Sequence, residues 1–167
     1  MAIPLLIKAL QGQAIPRPPV WLMRQAGRYM KEYRELKERY SFLELCKIPD
    51  LAVEVSLQPI KFLDPDAAII FSDILIPLET LGFDIDFNPG PIVANPIRTS
   101  TDITQIKISS SDTNPTAKSI SLLKKELASD KALLGFAGSP WTLACYLIDQ
   151  GPYKGFLGTK VFANKNP

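Results

Sequence analysis

The chain has 167 residues, 46% hydrophobic and 22% charged, which is enough apolar material for one domain core and an ordinary charge content for a globular protein. Nineteen basic against 17 acidic residues leave a formal net charge of +2. That balance excludes a polybasic footprint for nucleic acid or a membrane surface, so any bound anion is met by local arginines.

No histidine occurs, which removes the commonest metal ligand and the usual general base. Chemistry on this chain has to run on carboxylates, tyrosines and arginines. Cys46 and Cys145 stand far apart and form no CxxC, so no metal site is expected. No apolar run approaches the roughly 18 residues that span a bilayer. Residues 1–10 carry one lysine and are broken by Pro4, a poor signal peptide, and the expectation is a cytoplasmic protein.

In chain order, Pro18-Pro19 precedes the run Val20-Trp21-Leu22-Met23, whose continuous apolar character predicts a strand buried on both faces. Arg24 and Arg28 follow, four residues apart around Gly27. Tyr29, Tyr33, Leu36 and Tyr40 then recur at helical spacing among charged residues, predicting an amphipathic helix. A second helix opens at Pro49-Asp50 and runs towards Leu63, with Pro59 expected to kink it or end it early.

Asp64-Pro65-Asp66 makes a turn before the apolar run 67–71, a second predicted buried strand that stops at Ser72-Asp73. From 82 to 97, GFDIDF alternates at period two and NPGP supplies a turn before IVANPI, which predicts a hairpin excursion. Residues 99–113 read as a polar loop, and the next helix places Ile120, Leu123 and Leu127 on one face. The run 132–137 is a third predicted strand, leading into Gly138-Ser139-Pro140-Trp141, where Ser139 can cap a helix and Pro140 can fill its first turn.

Strand and helix alternate as in a parallel α/β sheet. Functional loops of such sheets gather at the carboxyl ends of the strands. Arg24, Asp73 and Gly138-Ser139 each follow one of the three runs, so all three are expected on one face. Plainer roles compete: a solvated arginine pair, an N-capping Asp73 and a core Tyr146 with a wet hydroxyl.

Three stretches carry a family likeness: PVWLMRQAGRYM (19–30), LQPIKFLDPDAAIIFSDIL (57–75) and GFAGSPWTLACYLI (135–148). Together they resemble uroporphyrinogen decarboxylase. The resemblance implies a (β/α)8 barrel, usually a homodimer, that removes the carboxyl groups of four acetate side chains from uroporphyrinogen III to give coproporphyrinogen III. It implies no metal or organic cofactor. Carried over by residue, Arg24 and Arg28, with Gln25 and Ala26 between them, would bind substrate carboxylates. Asp73 would meet the pyrrole nitrogens as the catalytic group, Tyr146 would line the cleft, and Phe71 and Phe136 would supply apolar walls. A planar guanidinium that stays protonated suits bidentate binding of carboxylates.

A barrel of this kind needs about 250 residues and eight strands. The resemblance therefore reads residues 1–167 as the N-terminal portion of one such domain, with about three parallel strands and a hairpin excursion. A cleft serine and a late histidine of the family have no counterpart here. The chain alone is accordingly expected not to form a stable, active monomer. Two other readings accompany this one: a corrinoid-linked methyltransferase relative, and a non-catalytic fragment that binds a tetrapyrrole or a partner barrel.

Overall fold

The computed structural model describes residues 2–87, 90–107, 114–151 and 155–166. In order, the elements are α1 (Leu5–Leu10), α2 (Lys31–Arg39), α3 (Phe42–Lys47), α4 (Pro49–Leu63), β1 (Ala67–Ile69), α5 (Ile76–Glu79), β2 (Ile85–Phe87), β3 (Pro91–Val93), α6 (Ser100–Thr104), α7 (Pro115–Glu126), β4 (Ala132–Leu134), α8 (Pro140–Asp149) and α9 (Leu157–Lys165). They divide into two compact units, one made of Met1–Ser72 with Thr113–Phe136, the other of Asp73–Asp112 with Ala137–Pro167. None of the described helices is long and apolar enough to cross a membrane.

In the first unit β1 and β4 pair in parallel, with Ala67 opposite Ala132 and Ile69 opposite Leu134. One more ladder bond follows, from Ile70 N–H to the Leu134 carbonyl at 3.0 Å. Helix α4 packs on β1 and also meets α3 and α7. Its inward residues Val53 and Leu57 join Ile70 and Leu123 in one apolar cluster, while Val55 joins Met30, Tyr33, Leu36 and Leu45 in another. This is an α/β arrangement with parallel strands, as the alternation of runs implied.

Three local expectations are corrected in this unit. The run 20–23 is not a strand, and Met23 is 81% exposed, with Val20, Trp21 and Leu22 also on the surface. A strand buried on both faces needs ladder partners and covering layers. Among the described residues the parallel sheet has two strands, β1 and β4, rather than three. Pro59 does not end α4, which continues to Leu63; the burial of Ala52, Val53 and the stretch Val55 to Pro59 against its neighbours outweighs one missing amide. On α7 the buried line runs through Ser119 and Leu123, and Ile120 faces outward. Helix α3, not foreseen, is announced by a capping box between Ser41 and Glu44.

In the second unit β2 and β3 form the expected antiparallel pair, Ile85 opposite Val93; the expected turn residues Asn88 and Pro89 lie outside the described residues. Leu75, Leu78, Phe83, Ile85, Val93, Ile97 and Leu147 make its core. The polar stretch 99–113 is not all loop: Thr99 and Asp102 cap the short helix α6 reciprocally, and 108–113 lie outside the described residues. Ser139 caps α8 as expected, accepting from Thr142 N–H at 3.2 Å, with Pro140 in the first turn. A Cβ added at Gly138 would come within 2.7 Å of Leu143 Cδ2 and 3.4 Å of Ile74 Cβ. The glycine lets the start of α8 lie directly on the chain that follows Asp73.

Candidate functional site

Asp66, just before β1, organises the segment that carries the RQAGR motif. Arg17 grips its carboxylate with two parallel bonds, Nη1 to Oδ2 at 2.6 Å and Nη2 to Oδ1 at 2.8 Å. Val20 N–H adds a third bond to Oδ2 at 2.7 Å, and Asp66 N–H returns one to the Val20 carbonyl, also 2.7 Å. The Arg17 bond holds the Asp66 carboxyl below its usual range, with burial opposing and the Val20 amide assisting.

Gln25 makes the second tie. Its side chain is 1% exposed, Oε1 accepts from Leu22 N–H at 3.2 Å and Nε2 donates to the Ala67 carbonyl of β1 at 3.1 Å. The Tyr29 hydroxyl donates to the Gln25 carbonyl. Inside this frame Gln25 N–H closes a tight turn on the Leu22 carbonyl at 3.0 Å, and Arg24 occupies the position of that turn where φ is positive, at 58°. Glycine or asparagine is the usual occupant of such a position. Left-handed backbone costs a side-chain-bearing residue about 1–2 kcal/mol, and strain of this kind persists where surrounding bonds over-determine it.

A cleft of about 290 Å³ opens here, walled by Trp21, Met23, Ala26, Ile69, Phe71 and Phe136, with Arg24 and Ser72 at its lining. Arg24 is the charged residue in a wall that is otherwise mostly apolar. The Phe71 ring is held from behind by Tyr33 and Phe42, each with centroids 5.8 Å away. Such a site suits a ligand with an apolar body and an anionic group.

The predicted residues are therefore partly gathered. Arg24, Gln25, Ala26, Phe71 and Phe136 line the cleft. Gln25 does so with both ends of its amide already bonded within the protein, so its side chain serves the turn. Arg28 is exposed and is not among the lining residues; residues 24–28 are turns and bends rather than helix, so the four-residue spacing does not stack the two guanidiniums. Its carbonyl accepts from Arg34 Nη1 at 2.9 Å, and its charge draws down a Tyr33 phenol that burial pushes up.

Asp73 and Tyr146 belong to the second unit. Asp73 is half-buried; burial pushes its carboxyl above the ordinary range, and the bond that Oδ1 accepts from Leu75 N–H at 2.9 Å pulls the other way. It thus caps the turn that follows, leaving Oδ2 with further accepting capacity. Tyr146 packs against the core of that unit. A larger cleft in the same unit, about 460 Å³ and lined by Arg98, Asp149, Lys165 and Asn166 among others, contains none of the expected site residues.

Sequence reasoning missed Trp21 and Met23 as cleft residues because it placed them inside a buried strand. It read Asp66 only as a turn former; its partner Arg17 is 49 residues away, a separation that leaves no local signal.

Comparison with known proteins follows the same residues. The family model described as uroporphyrinogen decarboxylase (URO-D) matches residues 1–167. The chain is 45% identical over 163 residues to uroporphyrinogen decarboxylase of Citrifermentans bemidjiense, covering 96% of this chain and 48% of that protein. It is 50% identical over 145 residues to that of Trichlorobacter lovleyi (86% and 43%), and 47% identical over 158 residues to that of Carboxydothermus hydrogenoformans (92% and 45%). The chain spans about half the length of the curated relatives it matches.

Proposed function

The chain belongs to the uroporphyrinogen decarboxylase family, and we propose that it forms the N-terminal part of a (β/α)8-barrel enzyme that decarboxylates the four acetate side chains of uroporphyrinogen III to give coproporphyrinogen III. The protein acts in the cytoplasm, as a homodimer, without metal or organic cofactor. In this reading Arg24 and Arg28 bind substrate carboxylates and Asp73 is the catalytic group. The observation that carries it is Arg24, strained into a left-handed turn beside an apolar cleft within the matched motif.

The roles follow from charge. The planar guanidiniums, suited to bidentate pairing, hold the substrate carboxylates, and Trp21, Phe71 and Phe136 take the pyrrole rings. Loss of CO2 from a pyrrole acetate requires an electron sink. Protonating the adjacent ring carbon makes the pyrrole cationic, the carbon–carbon bonding pair flows into the ring as CO2 leaves, and return of a proton to the side-chain carbon with loss of the ring proton leaves a methyl group. Asp73, ionised among inward-pointing pyrrole N–H donors, stabilises that cation. Those bonds favour its charged form, against the burial that raises its pKa in the free protein.

The test is anaerobic turnover of uroporphyrinogen III, read as released CO2 and as coproporphyrin after oxidation. The full-length protein that carries this chain as its N-terminal part produces both without added metal. In that full-length protein Arg28→Lys weakens substrate binding by roughly 1.5–3 kcal/mol, the range of a charge-assisted hydrogen bond, and leaves the fold intact. Absence of CO2 release overturns the activity, and unchanged affinity in Arg28→Lys returns that arginine to a solvated surface role.

A further inference from the structure

We propose that Ser56 is a positioning residue for the cleft: its buried hydroxyl holds the backbone of Phe71 at the point where the chain leaves β1, and so sets the Phe71 wall. The inference rests on the reading of that cleft as the ligand site. Ser56 lies in the middle of α4, 0% exposed, at a position where an apolar residue would favour the helix and the core more.

The hydrogen bonds explain the serine. Ile70 N–H makes the last ladder bond to β4, at 3.0 Å. The next amide, that of Phe71, needs another acceptor, since a buried N–H without one is costly. Ser56 Oγ is that acceptor, at 2.8 Å. Its own proton is committed to the Ala52 carbonyl at 2.6 Å, which fixes the hydroxyl rotor and leaves its lone pairs for Phe71. The side chain thus replaces a strand partner and lets the chain turn out of the sheet towards Ser72. With the Phe71 ring set by Tyr33 and Phe42, both backbone and side chain of the wall residue are held.

The experiment compares Ser56→Ala, Ser56→Thr and a control on the same helix, Val53→Ala, by amide hydrogen exchange and by anaerobic titration with uroporphyrinogen III well below each melting temperature. Ser56→Ala speeds exchange at Phe71 by about tenfold relative to Ile70 and weakens the ligand by about the same factor, as loss of one buried hydrogen bond does. Ser56→Thr, which keeps the hydroxyl, restores both. Val53→Ala lowers the melting temperature and changes neither.

Unchanged Phe71 exchange in Ser56→Ala overturns the proposal, and so does an equal loss of affinity in Val53→Ala. Should Ser56→Ala not fold, Ser56→Cys replaces it: a weaker acceptor predicts intermediate exchange at Phe71, and wild-type exchange there overturns the role. A wild-type protein that takes up no uroporphyrinogen removes the functional reading of the cleft, and the exchange result then decides the role of Ser56 by itself.

Discussion

Gln25 Nε2 donates to the backbone carbonyl of Ala67 at 3.1 Å, 42 residues along the chain, while its Oε1 takes the amide of Leu22. One buried amide thus bridges β1 and the turn in which Arg24 sits at φ 58°. Replacing it by leucine leaves two backbone groups unpaired, a cost of roughly 1–3 kcal/mol each. Arg24→Gly relieves about 1–2 kcal/mol of backbone strain. If Gln25 is what holds the strained turn, Gln25→Leu costs less in the Arg24→Gly background, where the turn closes without help. Denaturant unfolding of the two single variants and the double variant measures that coupling. Additive losses would separate the amide from the turn.

Gly27 makes the opposite case. A Cβ there would meet only the Arg24 carbonyl oxygen, at 3.6 Å, an ordinary contact, and its backbone is not in the left-handed region. The fold therefore has room for alanine, and Gly27→Ala changes stability by less than about 0.5 kcal/mol. If the motif approaches a carboxylate through its backbone, the same methyl lowers affinity for uroporphyrinogen III. A titration that finds wild-type affinity would show that the ligand does not come close to this backbone.

Asp73 gives a pH dependence of definite sign. Burial raises its folded pKa above the ordinary 3.8, so the folded protein holds this proton more tightly than the unfolded chain. Stability from this group is complete below 3.8 and is lost as pH rises through the folded value. Asp73→Asn removes that loss. The variant melts higher than wild type at neutral pH and the gap closes in acid; if the proposed catalytic role holds, turnover of the full-length protein also falls more than substrate affinity, because the charge would act on the cationic ring. Melting curves across pH with paired kinetics check both; equal losses in rate and affinity would leave Asp73 as a positioning group for the macrocycle.

Local signals carried much of this fold. Ser139-Pro140 marked α8, the alternation in GFDIDF marked the β2–β3 pair, and the runs 67–71 and 132–137 marked the two strands that pair in parallel, although these end sooner, at Ile69 and Leu134. The capping boxes at Ser41 and Thr99 were equally local, and reading S-x-x-E and T-x-x-D as helix starts would have found α3 and α6. Residues 20–23 misled because apolar composition states only what a segment would bury, whereas strand formation also needs a neighbour. At the site, the motif brought Arg24, Ala26, Phe71 and Phe136 to one cleft. It did not separate Arg24 from Arg28, since the segment between them runs through turns and bends rather than the helix that would stack the two. Nor could it reveal Asp66 or Ser56, whose partners are chosen by tertiary contact.

Two amides of the motif segment are held by acceptors of different kinds, which allows its attachment to be dissected by acid. Val20 N–H is bonded to the Asp66 carboxylate and Leu22 N–H to the neutral Gln25 amide oxygen. Arg17 keeps the Asp66 carboxyl below its ordinary 3.8. Its stabilising effect is therefore present above that value and is lost as pH falls through the lower folded pKa. Protonation weakens the Arg17 grip and the bond to Val20 together, while nothing at Gln25 titrates. On acidification Val20 should lose protection from hydrogen exchange before Leu22 does. Arg17→Gln, which removes the charge, moves the Val20 transition to higher pH and leaves Leu22 in place. Residue-resolved exchange over a pH series reads both amides in one sample, after correction for the intrinsic pH dependence of exchange. Simultaneous loss at Val20 and Leu22 would mean that the segment leaves β1 as one piece, with Asp66 and Gln25 acting as a single clamp.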